Sequence, residues 1–182
     1  MNIDYIKIDI AFMLKKIDNL ASKFINQKTS NNKFAYFFLK SITHTSSGQI
    51  YPVYALIIPF ISPDGFPIIK FGLIAFSIQV PAYILSKNII KRVRPGNYEG
   101  FTQLIKPPDK YSFPSGHCAS ATLFTLIVNE HAPDITAYFS TWLIFIFISR
   151  VALGLHYLSD AIFGVLLGAI SFYIANEIII IM

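Results

Sequence analysis

The feature that most limits what this chain can fold into is a series of apolar blocks close to the length that crosses a bilayer, about 20 residues for a helix. They run over residues 50–61, 67–86, 115–129, 135–150 and 157–182. Hydrocarbon offers no water to a backbone N–H or C=O, so such blocks must pair their backbone internally and fold as helices. Of the 182 residues, 54% are hydrophobic and 14% charged, too apolar for an ordinary soluble domain. The expected fold is all-α, a polytopic membrane helix bundle of five to six spans. A sixth span would come from residues 34–48 and would bury Lys40 and His44. Pro81 within the second block is compatible with a membrane helix.

Two segments follow from the pattern. Residues 1–33 form an N-terminal amphipathic segment, and residues 34–182 form the spanning domain. Ile3, Ile6, Ile10, Leu14, Ile17, Leu20 and Phe24 recur at spacings of three and four, one stripe of a helix, with Lys and Asp residues opposite. Such a helix lies on the membrane surface. The plainer reading is a helix packed on the rest of the same protein. Charges at Asp4, Lys7 and Asp9 argue against a signal peptide. The single cysteine, Cys118, excludes an intrachain disulfide and a cysteine-based zinc site. The net charge of +5 fits anionic headgroups, loop orientation or an anionic substrate, and does not choose among them.

Chemistry gathers in three places. Lys87 and Arg94 are two helical turns apart, which places them on one face, and Pro95 ends that helix. Tyr111 to His117 reads YSFPSGH. A helix entered through Pro114 offers unpaired backbone N–H groups in its first turn, an anion cradle that Gly116 opens to close approach. Ser115 adds a hydroxyl and His117 an imidazole. The third group is Ser149, Arg150, His156 and Asp160, with the last two one turn apart so that the carboxylate orients the imidazole. Following the chain from span to span brings all three groups to one membrane face. Lys87, Arg94 and Arg150 with the cradle suit a phosphate or similar oxyanion. His156, backed by Asp160, is the better nucleophile, and His117 serves as acid and base. No metal and no cofactor is called for, because the cations supply the charge neutralisation.

Each piece has a structural reading of its own. The basic run from Lys87 to Arg94 could anchor a loop. Arg150 could snorkel to headgroups. PSGH could simply start a helix, and His156 with Asp160 could be a structural pair. Ionisable residues near membrane helices are functional candidates by default, and four such coincidences at one face are improbable. His44 and His131 lack comparable neighbours and read as surface histidines.

Taken together, Lys87-x6-Arg94-Pro95, Pro114-Ser115-Gly116-His117 and Ser149-Arg150-x5-His156-x3-Asp160 resemble the three-part signature of the type 2 phosphatidic acid phosphatase (PAP2) family, related to vanadium haloperoxidases and bacterial acid phosphatases. The resemblance covers roughly residues 87–160 and keeps every signature position. It implies that Lys87, Arg94 and Arg150 bind phosphate with Ser115 and Gly116, that His117 is the acid, and that His156 is the nucleophile with Asp160 as its partner. It implies a phosphorylated lipid substrate such as phosphatidate, phosphatidylglycerophosphate, undecaprenyl diphosphate or lipid A, and no nucleic acid. Where the family often has Thr after the signature His, this chain has Cys118, a small residue expected only to pack. The resemblance puts the site at the periplasmic face of a bacterial inner membrane. The lysines of the N-terminal segment, counted by spans, would instead favour a cytoplasmic site. Two other functions use the same residues: a lipid phosphotransferase, and a non-catalytic protein binding anionic headgroups. The latter has no use for two opposed histidines. Headgroup contacts are expected from the loop 96–113, with Asn97, Tyr98, Glu99, Lys106, Asp109 and Lys110 as candidates.

Overall fold

The computed structural model describes residues 3–181. Met1 and Met182, which begin and end the two expected segments, lie outside the described residues, as do the side chains of Ile3, Ile6, Ile10 and Leu14. The described chain forms seven α-helices: α1 (Ile3–Ser30), α2 (Lys33–His44), α3 (Tyr51–Ile61), α4 (Gly65–Ile90), α5 (Gly116–His131), α6 (Thr136–Ala152) and α7 (Leu158–Ile181). Short 3-10 turns occupy Pro95–Asn97 and Pro133–Ile135. The only ladder pairing among the described residues is a single bridge between Val93 and Tyr111.

All five apolar blocks become helices. Among the described residues, three stretches are long and apolar enough to cross a membrane: Gly65–Ile90, Pro133–Ala152 and Leu158–Ile181. Of residues 34–48, the candidate sixth span, only the part within α2 is helical. Thr45 stops α2 after twelve residues, about 18 Å of helix against a hydrocarbon layer of about 30 Å. α3 is also short, an apolar helix that pairs with α4 across the Ser62–Asp64 turn.

The bundle is built on α5 packed against α7. Gly164 and Gly168 of α7 make this possible: a Cβ at either would press into the backbone carbonyl of Ser115 or Ala119 on α5. Small residues spaced by four let two helix backbones meet closely, a device suited to lipid, where apolar contact alone gives no preference for neighbours. Ile68, Phe71, Ala75, Leu123, Ile127, Phe172 and Ala175 from α4, α5 and α7 fill the core at the end of the bundle away from PSGH. Nearer to PSGH, Cys118 packs fully buried with Val151 and Ala161. Outward-facing Leu73, Ile84, Ile144, Leu166 and Ile170 remain exposed, the large apolar surface that lipid covers.

α1 settles differently from a free surface helix. Its apolar stripe, where described at Ile17, Leu20 and Phe24, points away from the protein. Its opposite face is a seam of short polar residues. Ser22 Oγ accepts from the Leu158 N–H, Asp18 accepts from the Ser159 N–H and hydroxyl, and Asn26 binds both the carbonyl and N–H of Thr102 and the Ala152 carbonyl. The helix is thus packed on the bundle, as the plainer reading had it, and it presents an apolar stripe outward.

Candidate active site

The end of the bundle at which α4 stops, α5 and α7 start and α6 finishes carries a cavity of about 500 Å³. Lys87, Arg94, Gly116, His117, Arg150 and His156 line it. Ser115 and Asp160 sit behind that lining, fully buried. Of the loop candidates, Lys106 and Asp109 reach the cavity. His44 also stands at its rim, exposed but close to the site, where the sequence offered no sign of company.

Lys87 is delivered by the last turn of α4. That helix ends four residues earlier than its basic run suggests. Ile90 is its last residue, Lys91 takes a left-handed conformation at φ 49°, and Arg94 is extended. Arg94 therefore does not share a helix face with Lys87. The chain doubles back through the Val93–Tyr111 bridge, and that return brings the two cations together. Lys87 Nζ donates to Asp109 Oδ1 and the Tyr111 carbonyl, both at 2.6 Å. Arg94 donates from Nε to the Asp109 carbonyl, from NH1 to the Leu155 carbonyl, and from NH2 to Asp109 Oδ1. Burial pushes the Asp109 carboxyl up, but Lys87 and Arg94 outweigh it and hold the group below the usual carboxylate range.

Ser115 is the N-cap of α5, its hydroxyl accepting from the Cys118 N–H at 3.5 Å. Its own N–H donates to the Asp160 carbonyl, which ties the turn to α7. Gly116 packs so near the Tyr83 ring that a Cβ would lie 2.7 Å from it. The next N–H groups, at Gly116 and His117, have no acceptor in a preceding helical turn.

Arg150 is almost fully buried near the end of α6. NH1 donates to Thr43 Oγ1 at 2.8 Å, while Nε and NH2 are buried with no partner. A guanidinium stripped of water with two N–H groups unpaired is costly unless something supplies an acceptor. The turn after α6 closes through Gly154, at φ 73°, where a side chain would meet the Thr102 carbonyl. Leu155 and His156 then donate their N–H groups back to the Arg150 carbonyl, which sets His156 beside Arg150.

His156 is not on α7, which begins at Leu158, so helical spacing does not relate it to Asp160. Its Nδ1 lies 2.6 Å from the Ser112 carbonyl and 3.9 Å from Asp160 Oδ2. A carbonyl can only accept, so Nδ1 carries the proton and Nε2 holds its lone pair. Nε2 lies 3.4 Å from Arg94 NH1. Burial first, then Arg150 and Arg94, push the His156 pKa well below its ordinary value, so the ring is neutral at neutral pH. The carboxylate of Asp160 is spent elsewhere, accepting from the Tyr157 N–H at 2.9 Å and from Arg92 NH1 at 2.7 Å. Arg92 also pairs with Asp18 of α1 and stacks on Tyr157 at 4.0 Å, so it fastens the α7 entrance to α1. Burial opposes the charge on Arg92, but Asp160 and Asp18 together raise its pKa.

The sequence reading thus missed Ser112, Tyr83, Thr43 and Arg92, and it named Asp109 only as a headgroup contact, not as the partner of Lys87 and Arg94. Only Asp109 and Arg92 carried a signal, as charged residues inside the signature region. The Ser112 contact is made by a carbonyl, which every residue possesses.

Comparison with known proteins bears on the family and the fold. The PAP2 superfamily profile matches residues 68–179. An undecaprenyl-diphosphatase of Sulfolobus acidocaldarius is 33% identical over 105 residues, covering 53% of this chain and 48% of that protein. This chain thus spans about half the length of that curated relative. The crystal structure of Aquifex aeolicus LpxE superposes with a TM-score of 0.76 at 21% identity, covering 86% of this chain and 93% of the other. A PAP2-type phosphatidylglycerolphosphate phosphatase from Bacillus subtilis superposes with a TM-score of 0.71, again at 21% identity, over 91% and 86% of the two chains. At that identity the two structures speak to the fold, a membrane helix bundle.

Proposed function

This chain belongs to the PAP2 superfamily, and from that premise we propose that it hydrolyses a phosphate monoester or diphosphate of a membrane lipid through a phosphohistidine. One observation carries the reading: Arg150 keeps two buried N–H groups without partners in a cavity that His117 and His156 both line. Those donors ask for an oxyanion, and the histidines give it a chemistry.

The steps follow from the residues. The phosphoryl oxygens take hydrogen bonds from Arg150, Lys87 and Arg94 and from the first N–H groups of α5, to which Ser115 gives shape. His156 Nε2 attacks phosphorus while Nδ1–H stays on the Ser112 carbonyl, which fixes the tautomer and accommodates the positive charge that develops on the ring. The P–O bond to the lipid breaks, and His117 gives the leaving oxygen a proton. His117 then takes a proton from water, the water oxygen attacks phosphorus, the P–N bond breaks, and inorganic phosphate leaves. Asp160 supports this at a remove, by anchoring the Tyr157 N–H and hence the segment that carries His156.

Likeness to the undecaprenyl-diphosphatase favours a polyprenyl diphosphate among the candidate lipids. The outward stripe of α1 supports a helix seated in the headgroup layer. We place the site at the outer face of the cytoplasmic membrane. The test is phosphate release by purified protein in detergent, with phosphatidate, phosphatidylglycerophosphate, undecaprenyl diphosphate and lipid A compared side by side. Turnover of undecaprenyl diphosphate above the others is expected. No release from any of them would refute the hydrolase, and phosphate appearing on an added acceptor lipid would make it a transferase.

A further inference from the structure

We propose that Asp109 is a resident stand-in for the substrate's phosphoryl group: its carboxylate occupies the anion position between Lys87 and Arg94 and must leave when substrate arrives. This rests on the reading of the cavity as a phosphoryl site. Three observations point to it. First, one oxygen, Oδ1, bridges both cations, at 2.6 Å from Lys87 and 2.7 Å from Arg94, as a phosphoryl oxygen would. Second, the imitation is incomplete. The other oxygen accepts from the Tyr83 hydroxyl at 2.9 Å, and nothing reaches Arg150 Nε and NH2. A phosphoryl group has more terminal oxygens than a carboxylate and can serve all three cations. Third, the cations do not need the carboxylate to stay in place. Lys87 keeps the Tyr111 carbonyl, and Arg94 keeps the carbonyls of Asp109 and Leu155.

Asp109 is able to leave. It lies on the loop before α5, with its side chain 33% exposed, in contrast to the buried cations it binds. It also has reason to leave. A phosphate dianion and a carboxylate sharing the same two cations would stand within a few ångströms of each other as like charges. Asp109 is therefore a specificity-determining residue. It offsets part of the charge of Lys87 and Arg94, selects against weakly charged anions, and helps expel the phosphate product when it returns.

The test is isothermal titration of inorganic phosphate into detergent-purified protein, with phosphate inhibition of lipid turnover measured in parallel. Asp109→Asn should lower both Kd and Ki for phosphate by about tenfold, since the competitor has lost its charge. Asp109→Glu should stay near wild type. Glu99→Gln, on the same loop but outside the cavity, should leave Kd unchanged. Tyr83→Phe frees the carboxylate from one tether and should tighten phosphate by a smaller factor, which keeps the idea testable if Asp109→Asn does not fold. Unchanged or weaker phosphate binding in Asp109→Asn overturns the proposal, because it means that the carboxylate positions the cations. Equal tightening in Glu99→Gln also overturns it, because it means that only net charge matters. Neither result touches the lipid phosphatase if wild type still turns over. A wild type that neither binds phosphate nor releases it from lipid refutes the phosphoryl site itself.

Discussion

Replacing Gly164 with Ala tests whether the α5–α7 contact holds the phosphate cradle in register. The added methyl would stand inside contact distance of the Ser115 carbonyl oxygen, 3.0 Å from Cys118 Cβ and 3.2 Å from Ser115 Cβ. Carbon–carbon contact is comfortable at about 3.5–4.0 Å, so the first turn of α5 must retreat by about 0.5–1 Å. Overpacking of this kind costs about 1–3 kcal/mol, partly offset by the roughly 1 kcal/mol that Ala gains over Gly inside a helix. The melting temperature should therefore fall only slightly. Activity should fall far more, because the displaced turn carries Ser115, Gly116 and His117, and a misplacement of about 1 Å can cost about a hundredfold in rate. Phosphate release and thermal melting in the same detergent supply the two readouts. Gly72→Ala is the control: its methyl would meet only Ile127 Cδ1, at 4.0 Å, and should be harmless to both. Wild-type turnover by Gly164→Ala would refute the reasoning, since it would mean that the cradle does not depend on how closely the two helices meet.

Three further outcomes follow from the geometry. Arg150→Met should lose about a hundred- to a thousandfold in turnover yet melt no lower than wild type, because it removes a buried charge with two unpaired N–H groups; a large loss of stability would mean that the guanidinium is structural. Asn26→Ala should cost about 1–3 kcal/mol of stability, read as a lowered melting temperature, since it orphans the buried Ala152 carbonyl and removes two part-buried hydrogen bonds to the Thr102 backbone; an unchanged melt would show that α1 is only loosely attached. Because the folded pKa of His156 lies well below 6.5, the free enzyme should keep its nucleophile neutral, and the acid limb of kcat/KM should fall below that pH. Stability should be full above about pH 6.5 and decline as pH drops toward the folded value, as the unfolded ring takes up a proton that the folded one refuses; His156→Asn should flatten that decline in a pH series of melts.

The bundle was legible in the sequence because lipid imposes a simple rule on apolar blocks, and counting them was enough to bring Lys87, His117, Arg150 and His156 to one end. What could not be read was how the chain bends between the helices. Lys91 turns left-handed and Arg94 arrives on an extended segment, though residues 87–94 scan as plain helix. His156 likewise stands outside α7, so its spacing to Asp160 suggested a closer pairing than the 3.9 Å observed. Its nearer partner, the Ser112 carbonyl, is a backbone group and leaves no mark on composition. On α1 a signal existed and was overshadowed. Residues 18, 22, 26 and 29 are short and polar at helical spacing, which is how a docking seam reads, but the apolar stripe opposite gives the stronger periodic signal.

The central claim is that His156 Nε2 forms a bond to phosphorus in this cavity, and rapid acid-free quenching of turnover with a phosphorus-labelled lipid, followed by peptide mass spectrometry, addresses it directly. A base-stable, acid-labile phosphoryl group on His156, accumulating further in His117→Ala, is the predicted result. A label on another residue, or undiminished turnover in a folded His156→Ala protein, would contradict it.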